Sequence, residues 1–379
     1  MQMRRLLLLL ATLLGLTSLA LGQNSVEFQK HFDEGIAALT SGRHDEGITA
    51  FKKCFELQPE NPTCAYNISC GYSLKNELDP AFEWLGKAAD LGFANSKANL
   101  ELAEAKDKDL ANMRADPRFA PLIEKMRKRH EETLALAEKE WKIPLVILPE
   151  GFEEMEKVGA LVVLHDSGRT KQSVAEGAWK KLAAEHGLAL VIPSARELAG
   201  ATIEQGMTWF TNFEEFSRRY WVAEEPLKPA LEALAKKKPI DPARTVIVGE
   251  GQGALIAFNV AMRAPRKYAA VLTVNGPFLA NLTSSYNPNA VGAGLQVRAV
   301  VSSEQMWGVR KEEIAGFSSQ MRSALRVAKL KGEVVGYTPT EEQPGLLTKI
   351  LREQLAALLA MDATPKGAPV EAGSGTEKP

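Results

Sequence analysis

The sequence predicts an α/β protein, a mostly parallel sheet with helices on both faces, preceded by a small all-helical domain. Three observations carry that expectation. From Ile143 onward, short apolar runs alternate with amphipathic helical stretches, as when parallel strands are joined by crossover helices. Residues 25 to about 128 have helical periodicity throughout. Thr245 to Ala254, T-V-I-V-G-E-G-Q-G-A, takes an apolar strand through a glycine-dense turn straight into the helical run Leu255 to Ala264.

The chain has 379 residues, 45% of them hydrophobic, enough for two cores. Its net charge of −1 offers no basic surplus for nucleic acid or an anionic membrane. Met1 to Gly22 reads as a targeting segment. Arg4 and Arg5 precede the apolar run Leu6 to Leu21, and Ala20 and Gly22 are the small residues of a cleavage site before Gln23. The run falls short of the roughly 20 residues of a comfortable span. Cleavage and export to a periplasmic or extracellular location are therefore expected, with no stable membrane span afterwards. Cys54, Cys64 and Cys70 are the three cysteines. They read equally as one disulfide plus a free thiol or as small buried side chains. No C-x-x-C and no neighbouring paired histidines accompany them, so neither a metal site nor a cofactor is expected.

Within the helical domain, Phe28 to Asn61 spans 34 residues and carries Gly35, Gly42, Phe51, Leu57 and Pro59. Pro62 to Asn95 repeats the period with Ile68, Tyr72, Ala81, Leu85 and Ala88. This resembles the tetratricopeptide family over two degenerate repeats, which implies a surface for a protein or peptide partner; packing against the next domain is the alternative. Two repeats bury too little alone, so Ser96 to Lys128, with Asp109-Leu110 and Asp116-Pro117-Arg118-Phe119, is expected to supply a capping helix and a short turn. Arg127 to Trp141 reads as a polar connecting helix. The expected segments are 1–22 (leader), 23–128 (helical), 129–141 (connector), 142–361 (α/β) and 362–379 (disordered tail).

In the α/β part, Leu145 to Leu148, Pro149-Glu150-Gly151-Phe152 and Ala160 to Leu164 predict two opening strands and a third, and Gly187 to Pro193 a fourth. A helix over Pro226 to Lys237 leads to the central strand Thr245 to Val248, followed by strands at Ala269 to Val274 and Leu295 to Ser302. A long helix over Lys311 to Lys331, a last strand at Glu333 to Tyr337 and a closing helix over Leu346 to Ala360 complete the order.

The turn after the central strand has the form of a nucleophile elbow, usually spelled G-x-S-x-G. Here it reads Gly249, Glu250, Gly251, Gln252, Gly253, and the nucleophile position holds a residue with no side chain. With Ile240-Asp241-Pro242 and Arg244 ahead of it and Gln252-Gly253 within it, the chain resembles the α/β-hydrolase group of polyhydroxybutyrate depolymerases, feruloyl esterases and phospholipase/carboxylesterases over about Lys142 to Ala360. The resemblance implies an oxyanion loop at His165-Asp166-Ser167-Gly168 and a second oxyanion donor in the amide of Gln252. It also implies an acid at Gln305, or at Glu304 with a one-residue shift, and a histidine near Thr338 to Gly345. The five histidines are His31, His44, His130, His165 and His186, so none follows the elbow. A triad in the order nucleophile, acid, histidine is missing.

Two functional classes follow. One is a non-catalytic binding or scaffolding protein whose degenerate pocket still holds a small ester or carboxylate; the other is a divergent ester hydrolase using Ser167, or Ser302 or Ser303, with Glu304 or His165 assisting. A third reading keeps the fold only as a packing platform, the glycines serving a tight turn. Glu250 is a candidate carboxylate beside the lost nucleophile. Trp209, Phe210, Phe213, Phe216, Tyr220 and Trp221 read as core or lid packing before stacking for a ligand, and Arg218-Arg219 and Lys236-Lys237-Lys238 as solvated faces.

Overall fold

The computed structural model describes residues 27–199, 202–210, 224–276 and 293–360. The expected leader, the expected C-terminal tail, Phe213, Phe216, Arg218, Arg219, Tyr220 and Trp221 lie outside them. The chain divides into two compact units, one holding the helices up to Glu140 with the described residues between Arg196 and Phe210, the other Trp141–Ala195 and the remainder.

In the first unit, helix α1 (residues 27–40) and α2 (His44–Leu57) form one pair, α3 (Pro62–Leu74) and α4 (Leu78–Asp90) a second. α2 and α4 begin 34 positions apart. Asn61 starts α3, its side chain accepting the N–H groups of Thr63 and Cys64 while Pro62 fills the first helical position. Small residues let the helices close up: a Cβ on Gly71 would lie 2.5 Å from Ile48 Cγ1. Phe51, Ile68 and Leu85 are fully buried between the pairs. The expected cap is α5 (Lys97–Glu101), a 3-10 turn at Lys108–Met113 whose Leu110 and Met113 are fully buried, and α6 (Phe119–Lys142). The polar connector expected from Arg127 is thus the second half of one helix that starts at Phe119. A two-stranded ribbon, β4 (Glu197–Leu198) with β5 (Met207–Thr208), also belongs to this unit.

The second unit is built on seven strands: β1 (Leu145–Ile147), β2 (Ala160–Leu164), β3 (Ala189–Ile192), β6 (Val246–Glu250), β7 (Ala270–Val274), β8 (Gln296–Ser302) and β9 (Lys331–Tyr337). Their spatial order is β1-β3-β2-β6-β7-β8-β9, with β1 antiparallel and the rest parallel. α7 (Lys171–Ala175), α8 (Ala178–Glu185), α9 (Leu227–Ala235), α10 (Gln252–Arg263), α11 (Ile314–Val327) and α12 (Leu346–Ala360) connect or close them. Near-continuous apolar strands need cover on both faces. Trp179 and Leu182 of α8 with Leu351, Leu355 and Leu358 of α12 pack against Leu161, Leu190, Val248 and Leu272.

Three expectations need correction. Pro149 to Phe152 is not a strand; with Gly151 left-handed at φ 69°, the chain turns into a 3-10 segment, Phe152–Glu154. The central strand runs on through Gly249 and Glu250, which pair with Thr273 and Val274. The long helix stops at Val327, because Lys329 is left-handed at φ 54° and β9 then pairs along the whole of β8.

Candidate functional site

Parallel pairing sets Leu164 of β2 beside Gly249 of β6, and Val274 of β7 beside Glu250. The segments leaving the carboxyl ends of these strands, 165–169, 251–252 and 275–276, are brought together there, where open α/β sheets carry their sites. Gly251 has φ 52° and ψ −115°, a backbone geometry costly for residues with a side chain. Its N–H donates to Val274 O at 2.8 Å, and α10 starts at the next residue. The flanking glycines let strand and helix touch backbone to backbone: Cβ atoms on Gly249 and Gly253 would lie 2.3 Å from Gly253 O and 2.4 Å from Leu164 O.

The space a side chain on Gly251 would need is filled. A Cβ on Gly251 would fall 2.0 Å from Asp166 Cγ and 2.1 Å from both of its carboxylate oxygens. Asp166 Oδ1 accepts the N–H of Gln252 at 2.8 Å and that of Ser167 at 2.7 Å. The Gln252 amide, expected to hold a substrate's oxygen, holds one of the chain's own. Burial pushes the Asp166 carboxyl above its ordinary value, while those two amides and Arg169 pull it back.

Glu250, the residue before Gly251, is neither a free ligand nor a free acid. Arg169 Nη1 donates to its Oε2 at 2.7 Å and Trp179 Nε1 to its Oε1 at 2.9 Å. Arg169 also donates to Ser173 O at 3.1 Å. Burial raises the Glu250 carboxyl, and Arg169 opposes the rise.

His165 is fully buried. Ala195 N–H donates to Nε2 at 3.1 Å, and Nδ1 lies 2.7 Å from Asp166 O. The first contact requires an unprotonated Nε2, which places the proton on Nδ1, donated to the carbonyl. Burial lowers the ring's pKa to about 4. His165 therefore positions the loop and is not set up as a base. Gly168, left-handed at φ 79°, turns the loop beyond the exposed Ser167.

After β8, the Ser302 hydroxyl is buried and accepts the N–H groups of Glu304 at 3.0 Å and Gln305 at 3.3 Å, which commits it to shaping the turn. Glu304 is exposed and ion-paired with Lys311. Ser303 Oγ donates to Thr338 Oγ1 at 3.0 Å. Asn275 joins three strand ends, its Oδ1 accepting from Ser302 N–H at 2.9 Å and its Nδ2 donating to Tyr337 Oη at 2.9 Å. Sequence reading missed Arg169, Trp179, Asn275 and Tyr337, since partners 71 or 81 positions from Glu250 leave no periodic signal. Of the aromatic group, Trp209 and Phe210 are buried in the first unit.

The family model described as phospholipase/carboxylesterase matches residues 153–303, from just ahead of β2 to just past β8, with the elbow inside. The fold is α/β-hydrolase-like, a mostly parallel sheet flanked by helices. No curated protein matches it. Among solved structures, an uncharacterised protein from Bacillus cereus ATCC 10987 is 13% identical, with 87% of this chain and 97% of that one covered and a TM-score of 0.41. Esterase PE8 is 18% identical, covering 55% and 97% at 0.41, and a ferulic acid esterase 16%, covering 57% and 91% at 0.39.

Proposed function

We propose that this hydrolase-fold chain is a binding or scaffolding protein without acyl-transfer chemistry of its own, exported after loss of residues 1–22, whose helical repeats meet a protein or peptide partner. The observation that carries the reading is Asp166 in the space of the nucleophile, with its Oδ1 on the amide of Gln252. A hydrolase of this fold needs three things at that spot: an activated nucleophile, a base and an empty pair of donors. Gly251 offers no nucleophile, His165 Nε2 is occupied by Ala195, and the Gln252 donor is engaged. An ester or carboxylate ligand entering there has to displace the Asp166 carboxylate.

The esterase reading draws on the family match to residues 153–303 and requires a relocated serine. Ser167 or Ser303 would have to attack, and no histidine follows the elbow to activate either. The two readings separate in one experiment: the full chain is treated with a fluorophosphonate serine-hydrolase probe and assayed on short acyl and feruloyl esters. Background turnover with no labelling is expected. Stoichiometric labelling at Ser167 or Ser303, with turnover lost in the matching alanine variant, overturns the non-catalytic reading.

A further inference from the structure

The three cysteines are free and buried, and they are not equivalent. Cys70 Sγ lies 3.7 Å from Asp107 Oδ2, an oxygen that also accepts from Tyr66 Oη at 2.7 Å. Its polar surroundings are the Asp107 carboxylate and the Tyr66 hydroxyl. Cys54 sits in the last turn of α2 and Cys64 in the first turn of α3, both fully buried. The link between them is short and pinned at both ends. Gln58 N–H donates to Cys54 O at 2.9 Å, and Cys64 N–H to Asn61 Oδ1 at 3.2 Å. The turn joins the ends of two packed helices, and both thiols belong to the same buried cluster, where Cys54 Sγ also donates to Phe28 O at 3.5 Å and each thiol bears on the ionisation of the other.

We propose that Cys54 and Cys64 are a disulfide site, bridged when the chain matures in an oxidising compartment. The second, independent line is the leader-like Met1 to Gly22, since disulfides form and persist in exported chains and are rare in cytosolic ones. The oxidant is a disulfide, of a small thiol or of a protein. One cysteine thiolate attacks it, breaking its S–S bond and releasing one thiol. The second cysteine then displaces the other thiol from the mixed disulfide. Two cysteine protons and two electrons leave, the new S–S bond forms, and the oxidant is reduced to two thiols. Burial pushes the Cys54 thiol up to about 11 and the Cys64 thiol higher, so the folded, reduced pair is a poor nucleophile. Bridging therefore belongs to folding, before α2 and α3 close over the thiols.

The test refolds the full chain from denaturant in a mixture of reduced and oxidised glutathione, then alkylates it in denaturant. A mass lower by two hydrogens, a single alkylated thiol at Cys70, and a peptide joining Cys54 to Cys64 are expected. The thermal midpoint should lie above that of the chain refolded with reductant, because the bridge restricts the unfolded ensemble. Cys70→Ser should keep the bridge, and Cys54→Ser should lose it. A bridge that includes Cys70, or three alkylated thiols after oxidative refolding, overturns the proposal. The wild-type map decides even where a serine variant fails to fold.

Discussion

The carboxylate of Asp166 and the backbone of Gly251 share one site: the first side-chain atom on Gly251 would land 2.0 Å from Asp166 Cγ. In a working elbow that volume belongs to the nucleophile. Here it belongs to an anion delivered from the neighbouring strand end and tied down by the amides of Gln252 and Ser167.

Gly251→Ser should therefore destabilise the protein. A side chain at φ 52° adds strain of roughly 1 to 3 kcal/mol, and the clash with Asp166 adds an overpacking cost of similar size. In an Asp166→Gly background the cost should shrink by about 1 to 2 kcal/mol, a coupling typical of residues in contact. Urea denaturation of the two single variants and the double variant measures it, and additive costs would show that the two residues do not compete for space. None of the three should gain ester turnover.

Removing the carboxylate should uncover an anion site. In Asp166→Ala, millimolar acetate should shift the amide resonances of Gln252 and Ser167 saturably, while the wild type shows no such response. Equal shifts in both proteins would mean that Asp166 does not occupy the donors in solution.

His165 should impose an acid-side loss of stability. Its folded pKa is lowered from 6.5 to about 4, so between those values the unfolded chain takes up a proton that the folded chain does not. The stabilisation is complete above about pH 6.5 and is lost as pH falls towards 4, by about 3 kcal/mol for a shift of this size. Asp166 and Glu250 act oppositely: their raised carboxyls take up protons first in the folded state, so their contribution grows as pH falls and is lost as pH rises through their folded values. Subtracting the stability–pH curve of His165→Gln from that of wild type isolates the imidazole, and a flat difference between pH 4 and 7 would contradict the buried neutral ring.

Arg169→Met should expose the debt carried by Glu250. The carboxylate would keep Trp179 and lose its cation, and because Arg169 is about one-third exposed the cost is set near 2 kcal/mol, below that of a fully buried pair. Adding Glu250→Gln should recover most of it. Denaturation at pH 8 and pH 5 provides a second check, since protonating Glu250 should narrow the gap between Arg169→Met and wild type.

The sheet was legible because apolar strands and amphipathic helices alternate along the chain, and the elbow because G-x-G-x-G constrains the backbone whatever stands at its centre. The absence of a histidine beyond His186 was equally visible. What Asp166 does was not. Its neighbour Ser167 and the histidine before it invite a catalytic reading, whereas its oxygen meets an amide 86 positions away, a pairing that only strand register creates. The same holds for Glu250, whose partners Arg169 and Trp179 lie on the segments that follow β2. Glu304 and Gln305 were placed by a motif that allows a slip of one residue; the buried hydroxyl of Ser302 spends that stretch on a turn.

The filled elbow also bears on which substitutions this chain tolerates. A serine placed at Gly251 meets the Asp166 carboxylate, whereas removing Asp166 alone frees the amides of Gln252 and Ser167 and adds no side chain at Gly251. The two positions are therefore coupled, so that a side chain at one fits only with a smaller residue at the other. Among chains of this fold, a side chain at the position of Gly251 is thus expected to go with a small residue at the position of Asp166.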